Sequence, residues 1–353
     1  IKYQSNNYLI TSINDNSFMN NHTINSINFS EDSELQIIGK RSFSQSSLSK
    51  ISIPKSVKRI EEKAFYSSEL LEINIPEDSE LEWIGSSAFS FSYVSKIFLP
   101  KKLRTIEEKT FDSCSSLYYV NFHNDSELIS ISKNAFSWGR MDSFDFPKNL
   151  QKIGECWAIC TIDLMYVMID SSNPYFKYFK IDEDFQMIIG KNDQNSEVYD
   201  TLVFAPRDTL NGEGYSTAFD IVIPSFIKYI SSCAISGCNN IDNVMFEKNS
   251  EMISIGVESF SHSSLKQISI PASCTKIEEN AFADCLYLQK VEFEEGSKLE
   301  YIGKNAFSHS TLHTLIFPEN VEFFKNNWCH FTSKLINISV PLKSVNMKML
   351  DSN

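Results

Sequence analysis

The sequence predicts a repeat solenoid, and three observations predict it. A motif recurs about every 23 residues. Successive copies alternate between two forms. Each copy holds one short strand pattern followed by too few residues for a long helix. A period of roughly 20 to 50 residues signals stacked units that bury a continuous core only together.

One form reads I-x-I-P-x-x-V-x-x-I-x-x-x-A-F, as in Ile51 to Phe65, Leu99 to Phe111 and Ile268 to Phe282. The other inserts an acidic-Ser turn, F-x-x-x-S-E-L-x-x-I-G-x-x-A-F, as in Phe29 to Phe43, Phe122 to Phe136 and Phe293 to Phe307. The strands are expected to end at Phe29, Ile53, Ile75, Leu99, Phe122, Phe146 and Ile169, then at Ile223, Phe246, Ile270, Phe293, Phe317 and Val340. A degenerate unit precedes them and ends at Phe18. Because strands have a period of two, Ile51 and Ile53 face inward while Lys50 and Ser52 face outward. Leu48 turns inward before the strand, and Pro54, lacking an N–H, ends it. Val57, Ile60, Ala64 and Phe65 supply the opposite wall, as short extended or 3₁₀ segments.

The rhythm breaks once. Ile169 and Ile223 are 54 residues apart, where about 24 are expected. Phe185 to Ile189 and Thr201 to Phe204 read as strands around the polar loop Lys191 to Glu197, which predicts an inserted β-hairpin within residues 170–215. The alternation of the two forms continues across the gap. The expected organisation is therefore a single array of about 13 repeats over residues 1–353, with one elongated copy.

Composition narrows the function classes. The net charge is −13, whereas nucleic acid and anionic membrane call for clustered Lys or Arg, so neither is expected as a partner. No apolar run reaches the ~20 residues of a membrane-spanning helix, so no membrane insertion is expected within this chain. Four Asn-x-Ser/Thr sequons, at Asn21, Asn28, Asn124 and Asn337, are near chance in a chain so rich in Asn and Ser. Of the eight cysteines, Cys114, Cys238 and Cys285 fall at one repeat position and read as small buried core residues. Cys156 with Cys160, and Cys233 with Cys238, are close enough in sequence to pair in an oxidising compartment.

The phrases S-V-K-R-I-E-E-K-A-F, S-K-L-E-Y-I-G-K-N-A-F and A-F-A-D-C-L-Y-L-Q-K-V-E-F resemble the BspA-like family of leucine-rich repeats, over nearly the whole chain. The N-P-Y-F-K insertion is similar to one found in that family, and the Ser/Asn/Ile/Phe-rich style is similar to the set expanded in trichomonad protists as surface proteins. The resemblance implies a right-handed leucine-rich-repeat superhelix with a parallel β-sheet on its concave face and short β or 3₁₀ segments on its convex face. It also implies a cell-surface or secreted protein that engages host-cell, matrix or other protein ligands. A repeat scaffold does not dictate its ligand.

Signatures of catalysis are missing from the sequence: no H-E-x-x-H, G-x-S-x-G, phosphate loop or C-x-x-C occurs. The expectation is a non-enzymatic protein with no cofactor and no metal. His262, His309 and His313 are the nearest approach to a metal-ligand set and read as solvated turn residues. The acidic turns, such as Glu77-Asp78-Ser79-Glu80, read as soluble turn formers. The outward strand positions carry more information, because they turn apolar in the middle of the array. Tyr118, Tyr119, Tyr166, Met168, Phe219, Val222 and Met245, with Asp142 and Asp145 between them, form the candidate concave patch for a protein partner. The rival reading is a structural protein whose repeats self-associate and pack into a larger complex, with an intracellular assembly as the alternative location.

Overall fold

The computed structural model describes residues 2–3, 6–7, 9–161, 163–180, 186–205 and 219–340. The chain divides into two compact units, Ile1–Pro174 and Tyr175–Asn353. Both are parallel β-solenoids, about 13 turns in all, and no helix occurs among the described residues. None is therefore long and apolar enough to cross a membrane.

Each turn of the first unit carries a longer strand, a two-residue strand and a turn segment. The longer strands are Lys50–Ser52, Glu72–Asn74, Lys96–Leu99, Tyr119–Phe122, Ser143–Phe146 and Tyr166–Ile169, preceded in the same ladder by Ser26–Ile27, which has only two residues. They pair in parallel in consecutive runs, and every one falls within two residues of its expected end. The two-residue strands, such as Arg59–Ile60 and Trp83–Ile84, form the opposite ladder. Of the two conformations expected for that wall, the extended one forms. In the second unit the longer strands make one six-stranded parallel sheet, from Phe219–Ile223 to Asn337–Ser339.

The turn segment adds a third lateral ladder. The N–H groups of Lys63, Phe65 and Ser67 donate to the carbonyls of Ser86, Ala88 and Ser90 on the next turn, at 2.8–3.1 Å. Those of Ala64, Tyr66 and Ser68 donate back to the residue three earlier. This alternation places Lys63 and Ser67 in the left-handed region, with φ of 56° and 54°. The same two positions recur along both units and admit even Phe91 and Trp138, at φ 60° and 58°. Such backbone is costly for residues with a Cβ and persists because lateral hydrogen bonds over-determine it.

The inward alternation is as expected. Leu48, Ile51, Ile53, Val57, Ile60, Ala64 and Phe65 are buried, while Lys50 and Ser52 are exposed. Equal spacing of the turns then stacks like on like. Phe18, Phe43, Phe65, Phe89, Phe111 and Phe136 form a continuous ladder with centroids 5.1–5.3 Å apart and planes within 11°. Phe260, Phe282 and Phe307 repeat it in the second unit. Offset stacking at about the strand spacing is a favoured aromatic geometry.

Each ladder stops at a size swap that the motif conceals. The Phe111 N–H donates to the Ala135 carbonyl at 2.8 Å, and the Phe136 N–H donates to the Trp157 carbonyl at 2.7 Å. Trp157 thus occupies the alanine position and Ala158 the phenylalanine position. The indole meets Phe136, Phe144 and Phe146 edge-on, with interplanar angles of 63–84°. Trp328 and Cys329 make the same exchange after Phe307, with Trp328 edge-on to Phe317 at 82°.

A column of small residues lies three positions after each phenylalanine. Ser46, Ser68 and Ser310 donate their hydroxyls to the carbonyls of Phe43, Phe65 and Phe307 at 2.8–2.9 Å. Cys114 and Cys285 stand in the same column and donate to the Phe89 and Phe260 carbonyls of the preceding turn, each at 3.0 Å. Cys238 is buried there too, so all three are core residues as expected. Cys160 and Cys238 carry thiols, so neither short-range cysteine pairing forms. Burial pushes the Cys114 and Cys285 thiols up to about 12.

The two forms of the motif also complement each other electrostatically. Cations from Pro-form turns meet acids from acidic-form turns, as in Lys58–Glu80 (3.8 Å), Lys101–Asp125 (3.8 Å) and Lys228–Glu251 (3.4 Å). Each exposed pair adds little by itself. Alternation nonetheless avoids the repulsion that like charges would suffer on directly adjacent strands.

The insertion contains the expected hairpin, Gln186–Gly190 with Thr201–Phe204, and one further strand, Phe176–Lys180. The three form an antiparallel meander. Thr201–Phe204 pairs in parallel with Tyr229–Ile230, so the meander extends the short-strand sheet of the second unit to eight strands. Gly190 is required there: a Cβ would lie 2.9 Å from both the Phe176 ring and Val203 Cγ2. Phe185 and residues 206–215 of the expected insertion lie outside the described residues.

Phe89→Ala, in the middle of the first ladder, is expected to destabilise by about 3–5 kcal/mol in denaturant unfolding followed by circular dichroism. Trp157→Ala is expected to cost a similar amount, and adding Ala158→Phe should recover most of it by extending the ladder. Cys114 and Cys285 should resist alkylation in the folded chain at pH 8 and react once it is unfolded. Their folded-state values lie above the ordinary 9.0 of the unfolded chain, so unfolding releases protons between pH 9 and about 12. Stability should therefore fall across that window as pH rises, which alkaline unfolding titrations would register.

Candidate functional site

Alternation makes every second residue of a longer strand an outward-facing position, and parallel register lines these up in columns. In the first unit Lys96 registers with Tyr119, and Phe98 with Asn121. Ser143 registers with Tyr166, and Asp145 with Met168. Tyr118, Asp142 and Met165 hold the equivalent position just before three successive strands. Each donates or accepts the backbone bond that opens its turn: the Tyr118 N–H donates to Ser95, and the Met165 N–H donates to Asp142.

The six expected residues of this unit therefore come together on one face. Tyr118 is 55% exposed, Tyr119 49%, Tyr166 39% and Met168 50%, in positions where most other turns carry polar side chains. Met165, 37% exposed, extends the group. It stands at the register of Tyr118, so the repeat alignment contained the signal for it. Asp142 and Asp145 are exposed between the aromatic positions, and neither forms an ion pair among the described residues. Asp142 Oδ1 accepts the Ser143 hydroxyl at 2.9 Å. Partial burial pushes the Asp145 carboxyl above its usual value. The face thus combines apolar rings with carboxylates that have no cation of their own.

The remaining expected residues lie in the second unit. Val222 registers with Met245; Val222 is half-buried and Met245 is 46% exposed. The backbone of Phe219 opens its strand opposite Ile241, and its side chain lies outside the described residues. Polar contacts flank this pair of strands, including Asn243 Nδ2 donating to Asp220 Oδ1 at 2.8 Å and Lys266 Nζ 2.7 Å from Asp242 Oδ1.

The histidines fall into a different arrangement from the expected set. His262 and His309 both sit at left-handed turn tips and flank Asp284 of the intervening turn. His262 Nε2 lies 3.9 Å from Asp284 Oδ2, and His309 Nδ1 lies 3.6 Å from Asp284 Oδ1. His313 instead precedes the Thr314–Ile316 strand. Its spacing from His309 carries it past the turn tip to a different side of the repeat.

Several solved structures share this architecture. A solved pneumococcal vaccine antigen, PcpA, matches with a TM-score of 0.69 and 22% identity, covering 92% of this chain and 77% of the other. A leucine-rich cell-surface protein from Faecalibacterium prausnitzii A2-165 matches at 0.66 and 19%, covering 96% and 85%. A leucine-rich repeat protein from Bacteroides ovatus ATCC 8483 matches at 0.58 and 23%, covering 97% and 79%. Among curated proteins, none matches this chain. At the sequence level, six copies of the BspA type leucine-rich repeat region match over residues 4–89, 36–163 and 215–341. The recurrent I-x-I-P and A-F signatures, the paired parallel ladders and this match agree, and the chain belongs to the BspA-type leucine-rich repeat family.

Proposed function

We propose that the chain is a non-catalytic binding or adhesion protein, displayed at the cell surface or secreted. It engages a protein ligand of a host cell or of the extracellular matrix through the outward face of the longer strands. The observation that carries this reading is the exposed cluster of Tyr118, Tyr119, Tyr166 and Met168 around the unpaired Asp142 and Asp145. Aromatic and Met side chains are over-represented at interface centres, and monomeric surfaces seldom concentrate them without a partner. Rigid strands hold these side chains in place before contact, so little ordering entropy is lost on binding. The two carboxylates specify the partner's complement, an apolar surface flanked by Lys or Arg. Membership of the family and the surface or antigen descriptions of the solved relatives support the location.

Binding to immobilised matrix glycoproteins and to cultured cells tests the reading. Tyr119→Ala with Met168→Ala should weaken binding by about a hundredfold, as loss of two central contacts does, while leaving the melting temperature almost unchanged. Asp142→Asn with Asp145→Asn should chiefly slow association and flatten its dependence on salt. Undiminished binding by the Tyr119 and Met168 double variant would show that this face is not the contact surface.

A further inference from the structure

The short-strand sheet of the first unit contains a pocket on a different side of the solenoid from the face just described. Its outward column runs Ile37, Arg59, Trp83 in consecutive registered turns, and Thr105, Ser130, Lys152 in the next three. A large indole is thus followed by two small hydroxyl residues, which leaves a step in the surface. The resulting open cavity has a volume of about 660 Å³, within the range of small-ligand sites.

Each lining group has an assignable state. The Arg59 guanidinium lies over the Trp83 ring, 5.1 Å from its centroid. Its Nε donates to Glu61 Oε1 at 2.7 Å, so this cation is already neutralised and braces one side of the indole. The other lining residues that follow Trp83 are Lys102, Arg104, Thr105 and Glu127, so the indole stands as a wall facing the Thr105 turn. Thr105, which lines the pocket, shares a hydrogen bond through its Oγ1 with Ser130 Oγ of the next turn, 3.1 Å away. Arg104 Nε is 4.0 Å from Glu127 Oε2, too long for a hydrogen bond, which leaves guanidinium donors for another acceptor. Lys102 and Glu82 are exposed and form no ion pair among the described residues.

We propose that this pocket binds a carboxylate-bearing sugar unit of a glycan. The apolar C–H face of a pyranose stacks on an aromatic ring. Its hydroxyls suit the acceptor carboxylates of Glu82 and Glu127, and its carboxylate suits the cations of Lys102 and Arg104. Other ligand classes fit less well. A purely apolar ligand would desolvate four charged groups without compensation. A phosphomonoester would bring close to two negative charges beside Glu82 and Glu127. A sugar acid brings one negative charge together with several donors.

The test is isothermal titration calorimetry of the full chain with two acidic probes, a hyaluronan octasaccharide and sialyllactose. Chitohexaose and lactose serve as their neutral counterparts, and sodium sulfate as a plain anion. At least one acidic probe should bind, about tenfold more tightly than its neutral counterpart, as one charge-assisted contact provides. Trp83→Ala should lower that affinity by about tenfold or more, and Lys102→Ala should erase the preference for acid over neutral sugar. Should Trp83→Ala fold poorly, Thr105→Tyr places a large ring among the lining residues, leaves Trp83 in place, and should abolish binding. Failure of both acidic probes to bind would overturn the proposal. So would binding that survives Trp83→Ala or Thr105→Tyr in folded protein, or sulfate binding as tightly as the sugars. None of these outcomes bears on the proposed protein-binding face, which shares no residue with the pocket.

Discussion

Lateral hydrogen bonding between successive turns is the constraint on which the rest of each unit depends. The longer strand, the two-residue strand and the turn segment all bond to the neighbouring turn, the last through alternate N–H groups such as those of Lys63, Phe65 and Ser67. With three ladders closed at once, a turn can neither slide nor rotate against its neighbour. Equivalent side chains must then meet at a fixed separation. That separation suits a phenylalanine ring on a phenylalanine ring, a hydroxyl or thiol beneath a backbone carbonyl, and a lysine beside a glutamate. The side chains fill a geometry that the backbone imposes, which is why Cys114 can replace serine so readily.

The same constraint makes departures from the pattern informative. Trp157 and Ala158 exchange bulk between two adjacent positions and so conserve volume while ending the stacked series. Edge-on contacts with Phe144 and Phe146 take over from face-to-face ones. On the outside, no core packing compels Tyr119, Met168 or Trp83. Their concentration in a few turns, against Ser, Asn and Lys elsewhere, is what distinguishes the two surfaces proposed to bind ligands.

Much of this was legible in the sequence, and the reasons for what was not are physical. The strand positions and the facing of Ile51, Ile53, Lys50 and Ser52 follow from a strict period of two, and the structure reproduces them. The Trp157–Ala158 exchange escaped because a motif search expects size at one position, whereas packing responds to the sum over both. The Phe176–Lys180 strand escaped because its aromatic residues, Tyr175, Phe176, Tyr178 and Phe179, come in adjacent pairs, so the period of two that marks a strand is absent. For the longer strands, the exposed columns could be listed from the sequence, although Met165 required the column before the strand to be read too. The Trp83 pocket arises from one large residue beside two small ones on the opposite sheet. Only the cation–π brace of Arg59 and the lengths of the surrounding ion pairs reveal its chemistry.

The charge complementarity between the two forms of the motif carries a consequence for how such a chain can change its length. Deleting a single turn would bring two Pro-form or two acidic-form neighbours together, setting Lys beside Lys or Glu beside Glu along the edge. Removing or adding a pair of turns preserves the alternation of charge at the new junction. Recombination within the gene should therefore be tolerated in steps of two copies, and equivalent strand ends such as Phe246, Phe293 and Val340 do recur at 47-residue intervals. The heritable module is then the pair of turns, and the elongated copy, which keeps the alternation in phase, obeys the same rule.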